Sequence, residues 1–234
     1  MNHPDRTFAE LRISRSTTAE QVAAALRERI ITGEFAPGLP LREVPIAESI
    51  GVSRNTVREA FRLLSAEGLV RHSMHRGITV SKLVRSDVID IYEARRTLEL
   101  SAIPHATGEK LRDIEIAIEA LAAAIRADDR KMTAEADFSF HTALVRAIGS
   151  ARLAEFHASL LTEVRLALAI ADYKREEGRV FAEDHIAILD ALRQANFGVA
   201  ARILKTHLDA SERIALSIVD EQDEAERREM SAGS

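Results

Sequence analysis

The pattern of apolar and polar positions predicts helices along most of the chain. In residues 19–32, Val22, Leu26 and Ile30 recur at the spacing of one helical face. A short second segment at 44–50 carries a proline in its first turn, where the missing backbone N–H is not needed. These two segments therefore predict two consecutive helices, the second much shorter than the first.

A third amphipathic segment begins after Ser53, whose hydroxyl can accept a hydrogen bond from a free backbone N–H of the first turn. Its apolar side is the stripe Val57, Ala60, Phe61 and Leu64. Arginines and an asparagine lie on the other side. From residue 69 to 81 the period changes to alternation, and Gly77 lies where a β-hairpin would turn. Three helices followed by a hairpin predict a winged helix-turn-helix domain over residues 15–82.

The remainder of the chain, from Ser86 onward, shows only helical periodicity. Short interruptions rich in glycine, aspartate or asparagine divide it into about six helices. We therefore expect an all-α domain over residues 83–220 and a charged, frayed tail at 221–234. The predicted fold class is mostly α, with an N-terminal winged helix-turn-helix followed by an all-α helical bundle.

Composition and charge narrow the classes of protein that fit this pattern. The 234 residues include no cysteine, which excludes disulfides and thiolate metal sites. Residues 1–82 hold 12 Lys+Arg and 9 Asp+Glu, whereas residues 83–234 hold 20 and 28, so the N-terminal part permits a polyanion site. The chain starts without the features of a signal peptide, and apolar runs such as 166–171 are far shorter than the roughly 20 residues that span a bilayer. We expect a cytoplasmic protein that does not bind membranes.

The polar side of the third helix has two interpretations. It could be the solvated face of an ordinary capped helix that carries arginine–glutamate pairs. The order of the elements favours DNA binding instead, because the third helix of such a domain presents its N-terminal residues to the major groove. Arginine side chains there can bind phosphates or guanine, and asparagine or threonine can contact base edges.

Residues 22–80 resemble the DNA-binding domain of the GntR family of bacterial transcription regulators. The resemblance rests on three ordered segments, LRERIITGEFAPG, IAESIGVSRNTVREAFRLLSAEGLV and HRGITV. It implies DNA contacts in the third helix and at the wing, at Ser53, Arg54, Asn55, Thr56, Arg58, Arg76 and Gly77. Some family members have an arginine at the start of the second helix, where this chain has Val44. Arg42, two residues earlier, is the candidate to replace that contact.

Histidines are the informative residues of the predicted helical domain. Asp137 and His141 are one helical turn apart and project from the same side. His185 and His207 lie on apolar stripes of later helices, so all four residues are expected to point inward. This set suits a divalent ion such as Zn²⁺ or Ni²⁺. His157 also lies on an apolar stripe, and histidines with a purely structural role are the alternative.

Residues 87–215 resemble the all-helical effector domain of the FadR subfamily of GntR regulators, known as the FCD domain. The segments IYEARRTLE, DFSFHTALV and EDHIAILDAL, together with a late histidine, carry the resemblance. In metal-binding members an aspartate, a histidine four residues later and two histidines on later helices bind one metal ion. The resemblance thus implies one divalent ion per chain, bound by Asp137, His141, His185 and His207.

Arg95 places a cation on an apolar stripe, with Ile91 and Leu98. An unpaired buried guanidinium is costly, so an anionic partner is expected. An internal salt bridge, with Glu99 or Glu93, would satisfy it. In the FCD domain this position often helps to bind the carboxylate of a small organic acid, so the resemblance implies that Arg95 binds the effector.

Together these features predict a transcription regulator without enzymatic activity. It would be a homodimer that binds operator DNA and responds to a small carboxylate metabolite at the metal site, most commonly in this family as a repressor. The rival interpretation is a metal-dependent all-α hydrolase with a DNA-binding appendage, suggested by Asp184 beside His185. Hydrolases of that type carry such a pair in the order His-Asp, and no Glu or His is obviously placed as a general base.

Overall fold

The computed structural model describes residues 16–73, 77–168 and 175–232. The N-terminal part contains α1 (Thr18–Ile31), β1 (Pro40–Leu41), α2 (Glu43–Ile50), α3 (Arg54–Ala66), β2 (Val70–Ser73) and β3 (Gly77–Val80). The helical part contains α4 (Arg85–Ala102), a 3₁₀ turn (Ile103–His105), α5 (Glu109–Arg126), α6 (Arg130–Arg146), α7 (Ala151–Leu168), α8 (Arg175–Arg193) and α9 (Phe197–Ala232). The predicted fold class, a winged helix-turn-helix followed by an all-α bundle, is confirmed for these residues.

Local sequence signals place the ends of the first three helices. Thr17 caps α1 in a capping box with Glu20. Gly51 ends α2 with a φ of 69°, a left-handed conformation that favours glycine. Ser53 caps α3 by accepting a hydrogen bond from the backbone N–H of Thr56 at 3.1 Å. A turn of only three residues, 51–53, therefore separates α2 from α3.

The apolar stripe predicted on α3 lies at the centre of the N-terminal core. Its members are each at most 3% exposed: Val57, Ala60, Phe61 and Leu64. They belong to one apolar cluster with Leu26 and Ile30 of α1 and Val80 of β3. Burying a side chain of this size contributes about 1.5–3 kcal/mol relative to leaving it exposed. This packing holds α3 with its polar side toward solvent.

The wing is a three-stranded antiparallel sheet in the order β1-β3-β2. In the predicted hairpin, Ser73 of β2 lies opposite Gly77 of β3. The sequence did not predict β1, because a strand of two residues is too short to show alternation. The tip of the hairpin, with Arg76, lies outside the described residues.

Two large apolar clusters account for most of the buried core of the helical part. One includes Leu144 of α6, Ile188 of α8 and Leu204 of α9. The other includes Leu161 of α7 and Val219 of α9, together with residues of α4. Because α6, α8 and α9 share the first cluster, polar residues on their inward faces are brought close together. No described helix is long and apolar enough to cross a lipid bilayer.

The end of α9 differs from the frayed tail predicted at residues 221–234, since the helix continues to Ala232. Asp223 pairs with Lys82, 141 positions earlier, with 2.8 Å between Oδ1 and Nζ. This ion pair connects the charged end of α9 to the segment between β3 and α4, and such a distant partner cannot be seen in a local pattern. The three domain limits, 15–82, 83–220 and 221–234, stay predictions.

Helix α7 joins the two parts, because its Leu166 is buried in the N-terminal core. Leu166 is 1% exposed and belongs to the same apolar cluster as Phe61. Gly68, with a φ of 76°, lies so close to α7 that a Cβ at this position would be 2.9 Å from Cγ of Glu163. A side chain of the helical part therefore completes the core of the N-terminal part.

Replacing Leu166 with alanine is expected to lower the free energy of unfolding by about 2–5 kcal/mol, the range for a leucine removed from a packed core. Leu153, on the same helix, is 36% exposed and provides the control. Leu153→Ala should change the free energy of unfolding by less than about 0.5 kcal/mol. Urea-induced unfolding measures both values, and equally small losses would contradict the burial of Leu166.

Candidate metal centre and nucleic-acid interface

Four side chains of the helical part converge in its interior. Asp137 and His141 come from α6, His185 from α8 and His207 from α9. One potential ligand atom from each residue lies within 4.8 Å of each of the others. Nε2 of His141 is 3.3 Å from Nε2 of His207. Nε2 of His185 is 3.6 Å from Oδ1 of Asp137. We call these residues the four-residue cluster.

The helices that carry the four-residue cluster are oriented by apolar neighbours. Phe140 and Leu144 are fully buried on α6, next to His141 along the chain. The ring centre of Phe140 lies 4.3 Å from that of His185 on α8. Leu204 of α9 is also fully buried, one turn before the last member of the cluster. Because apolar residues hold these faces inward, the polar residues on the same stripes are carried inward with them.

Burial favours the neutral form of the histidines. His141, His185 and His207 are each at most 2% exposed. Burial, followed by the charges that His207 and His141 would carry, holds the pKa of His185 well below its usual value. Burial also lowers the pKa of His141, although the Glu99 carboxylate acts in the opposite direction. A neutral imidazole offers the lone pair with which histidine binds a metal ion.

The ring nitrogens of His185 bear directly on whether the cluster fits a metal ion. Both are buried, and neither has a hydrogen-bond partner among residues 16–73, 77–168 and 175–232. Buried polar groups in folded proteins are almost always paired, and each exception requires an explanation such as an ion. An ion bound by Nε2 would satisfy that atom, and the Asp137 carboxylate lies beside it. One carboxylate and three imidazoles therefore fit a divalent metal ion.

Arg95 has an internal partner in the structure. It is 2% exposed, and its Nε donates to Oε1 of Glu99 at 2.8 Å. Its guanidinium carbon lies 5.0 Å from the ring centre of Tyr92. Burial acts to lower the pKa of Arg95, but Glu99 and Tyr92 raise it above its usual value. Of the two salt-bridge partners considered, the structure selects Glu99, since Glu93 pairs with Arg96. The effector role of Arg95 stays a prediction.

Two buried polar residues near the cluster, Glu99 and His157, were not placed in the site from the sequence. Oε2 of Glu99 is 2.6 Å from Nδ1 of His141. Its Oε1 is 3.0 Å from Nε2 of His157. A signal was available, because Glu99 follows Arg95 by one turn and His157 lies on the apolar stripe of Leu160. The pattern showed that His157 points inward and that Glu99 could pair with Arg95, without showing that Glu99 and His157 contact each other.

The exposed side of α3 carries most of the predicted DNA contacts. Three of these residues are exposed around its first turn: Ser53, Arg54 and Asn55. The hydroxyl of Thr56 lies 2.8 Å from that of Ser53. Nε of Arg58 donates to both carboxylate oxygens of Glu43 on α2, at 2.9 and 2.8 Å. Helices α2 and α3 therefore form one polar surface at this end of the domain.

The remaining predicted DNA contacts lie outside α3. Arg42 is exposed at the residue that precedes α2. Gly77 is exposed at the start of β3 and has a φ of 73°. Arg76 falls outside the described residues, so the structure does not place its side chain. The structure thus groups the α3 residues on one exposed surface and leaves the wing contact as a prediction.

Comparison with known proteins covers both parts of the chain. Residues 18–80 match the bacterial regulatory proteins of the gntR family. Residues 90–210 match the FCD domain. The first match spans the winged helix-turn-helix, and the second spans all four residues of the cluster.

Individual relatives agree with these matches. The chain is 33% identical over 204 residues to the "Probable D-xylose utilization operon transcriptional repressor" of Paenarthrobacter nicotinovorans, covering 85% of this chain and 89% of that one. It is 30% identical over 145 residues to the gluconate operon transcriptional repressor of Bacillus licheniformis, covering 60% and 59%. The crystal structure of a GntR regulator from Rhodococcus sp. RHA1 matches with a TM-score of 0.77 at 33% identity, covering 86% and 99%. The chain therefore belongs to the GntR family, with an FCD domain of the FadR-like subfamily, and it is a DNA-binding transcription regulator rather than an enzyme.

Proposed function

We propose that the four-residue cluster binds one divalent metal ion per chain, Zn²⁺ or Ni²⁺, and that a small carboxylate at this ion controls operator binding. The observation that carries the proposal is the convergence of four ligand atoms within 4.8 Å of one another. Imidazole nitrogens suit both metals, whereas Ca²⁺ and Mg²⁺ favour oxygen ligands. The proposed ligands are Asp137, His141, His185 and His207.

The charge of the proposed centre favours an anionic effector. Histidines bind metals as neutral imidazoles, so Asp137 supplies the only negative charge among the ligands. A divalent ion would therefore keep a net positive charge and could accept a carboxylate oxygen at a free coordination position. Glu99 balances the charge of Arg95, but that bond needs only one of the five donor hydrogens of Arg95, so the others could bind a carboxylate. One relative is named for a gluconate operon, so sugar acids are the first class to test.

The DNA-binding residues are proposed from the winged helix-turn-helix to which they belong: Thr56 is half-buried, Arg76 is carried over from the family resemblance alone, and the others are exposed. The full set is Arg42, Ser53, Arg54, Asn55, Thr56, Arg58, Arg76 and Gly77. A homodimer would place two such surfaces on a two-fold related operator, as is usual for this type of domain. Repression fits the names of the relatives, and action on operator DNA would place the protein in the cytoplasm.

Control by an effector requires that it bind one arrangement of the dimer better than another. A ligand with equal affinity for both arrangements would leave operator binding unchanged. A tenfold change in operator affinity corresponds to about 1.4 kcal/mol of differential binding. Helix α7, which connects the bundle to the N-terminal core through Leu166, offers a route by which such a preference could reach the DNA-binding domain.

A thermal-stability screen tests this function. D-gluconate, D-xylonate, citrate and lactate are added separately to Zn²⁺-loaded protein and to protein treated with a chelator. At least one acid should raise the melting temperature of the loaded protein only, because a ligand at 100 times its Kd stabilises the folded state by about 2.7 kcal/mol. Equal stabilisation of loaded and chelator-treated protein would contradict an effector site at the metal.

A further inference from the structure

Glu99 is a fully buried carboxylate at which three helices meet. It lies on α4 and contacts His141 of α6 and His157 of α7, as well as Arg95 on its own helix. Its side chain is 0% exposed. A carboxylate removed from water is strongly destabilised unless it is paired with a charge and hydrogen-bonded. Glu99 meets both conditions, since one cation and two imidazole rings surround it.

The partners of Glu99 keep it ionised. The Arg95 guanidinium donates to Oε1 of Glu99 at 2.8 Å, and a cation so close to a buried carboxylate favours its charged form. An ionised carboxylate only accepts hydrogen bonds. Each nitrogen that faces it therefore carries a hydrogen, including Nδ1 of His141 at 2.6 Å and Nε2 of His157 at 3.0 Å.

This hydrogen bond decides which nitrogen of His141 has a lone pair. A neutral imidazole has one N–H, so a ring that donates from Nδ1 has its lone pair at Nε2. Nε2 is also the atom of His141 that lies 3.3 Å from Nε2 of His207, inside the four-residue cluster. The bond to Glu99 therefore selects the form of His141 whose lone pair lies on the side of the cluster.

We propose that Glu99 is the positioning residue of the metal centre, which holds the His141 ring in the tautomer and orientation that leave Nε2 to bind the ion. The inference rests on the proposed metal site and adds a residue outside its ligand set. A carboxylate bonded to the far nitrogen of a metal-binding imidazole also increases the basicity of that ligand. Arg95 and His157 both donate to Oε1 of Glu99, so Oε2 remains directed at His141.

The substitution Glu99→Gln tests the role, because it keeps the size of the side chain and removes its charge. We expect the Kd for Zn²⁺ to rise about 10–100-fold, the range seen when such outer-shell partners are changed. Competition with a chromophoric chelator at fixed pH measures this Kd, and thermal unfolding of the metal-free protein reports whether the variant folds. The control is Glu93→Gln, an exposed position on the same helix, which should keep the wild-type Kd.

A second measurement uses the wild-type protein and does not depend on a folded variant. Nitrogen-detected NMR of the Zn²⁺-loaded protein distinguishes a protonated ring nitrogen from a metal-bound one. For His141 we expect a protonated Nδ1 and a metal-bound Nε2. The opposite assignment would overturn the positioning role, whatever the behaviour of the Glu99→Gln variant.

The outcomes also separate this inference from the metal site on which it rests. If wild-type protein binds no Zn²⁺, the metal site itself is wrong, and the positioning role falls with it. If wild type binds Zn²⁺ and a folded Glu99→Gln variant binds it with the same Kd, only the role of Glu99 is overturned. A weaker Kd in Glu99→Gln together with an unchanged Kd in Glu93→Gln supports the inference.

Discussion

Replacing His185 with alanine is expected to remove the bound metal ion. His185 contributes a buried imidazole whose two nitrogens have no hydrogen-bond partner in the described part of the chain. Losing one of the four proposed ligands should weaken binding by more than the about 10–100-fold expected for an outer-shell change. Elemental analysis of protein purified without a histidine tag should therefore find about one ion per chain in wild type and almost none in the variant.

The control for this experiment is another histidine of the same chain. His105 is exposed in the 3₁₀ turn, away from the four-residue cluster in sequence. His105→Ala should keep the wild-type metal content. His185→Asn, which replaces the ring with a smaller polar group, is a second variant to use if His185→Ala does not fold. It should lose the metal ion in the same way. Wild-type metal content in a folded His185→Ala variant would contradict the site and favour a purely structural role for the histidines.

Replacing Arg58 with alanine is expected to weaken specific operator binding strongly while leaving the fold intact. Arg58 lies on the exposed side of α3, opposite the stripe that anchors the helix in the core. An arginine that contacts a base contributes about 1–3 kcal/mol, so operator affinity should fall by roughly 10–100-fold or more. The ion pair with Glu43 is partly exposed, at 60% for the Arg58 side chain and 30% for that of Glu43, and ion pairs at the surface contribute only about 0–1 kcal/mol to stability.

Arg62 provides the matched control on the same helix. It is exposed, lies one turn further from the N-terminus of α3 and pairs with Glu59. Arg62→Ala should lower operator affinity much less than Arg58→Ala. Operator DNA is selected from random sequence with wild-type protein, and all titrations use one salt concentration because phosphate contacts dominate affinity. Unchanged operator affinity in Arg58→Ala would show that α3 does not read the DNA as proposed.

The periodicity of apolar residues in the sequence was sufficient to predict the fold class. It was also sufficient to predict which histidines of the helical part point inward. The α3 stripe was predicted because four apolar residues recur on one helical face and a serine cap precedes them. The inward direction of His141, His185 and His207 was predicted in the same way, whereas their choice as metal ligands together with Asp137 came from the resemblance to the FCD domain. An apolar stripe shows that a face is buried, whichever helix covers it.

What the sequence could not show is which inward residues meet. His157 has the same signal as His185, yet its Nε2 bonds Glu99 instead of joining the cluster. The two-residue strand β1 was missed for a related reason, because its partner β3 lies almost 40 positions later in the chain. Each of these contacts joins residues on different elements, and the sequence of one element does not show which other element packs against it.

The central claim is that a carboxylate effector at the metal controls operator binding, and fluorescence anisotropy of labelled operator tests it most directly. The acid that stabilises Zn²⁺-loaded protein in the thermal screen is titrated into complexes of wild type and of His185→Ala. We predict that operator affinity of wild type changes at least about tenfold, or 1.4 kcal/mol. The His185→Ala variant should bind the operator and show no response. An equal response in both proteins, or none in wild type at saturating acid, would contradict the account.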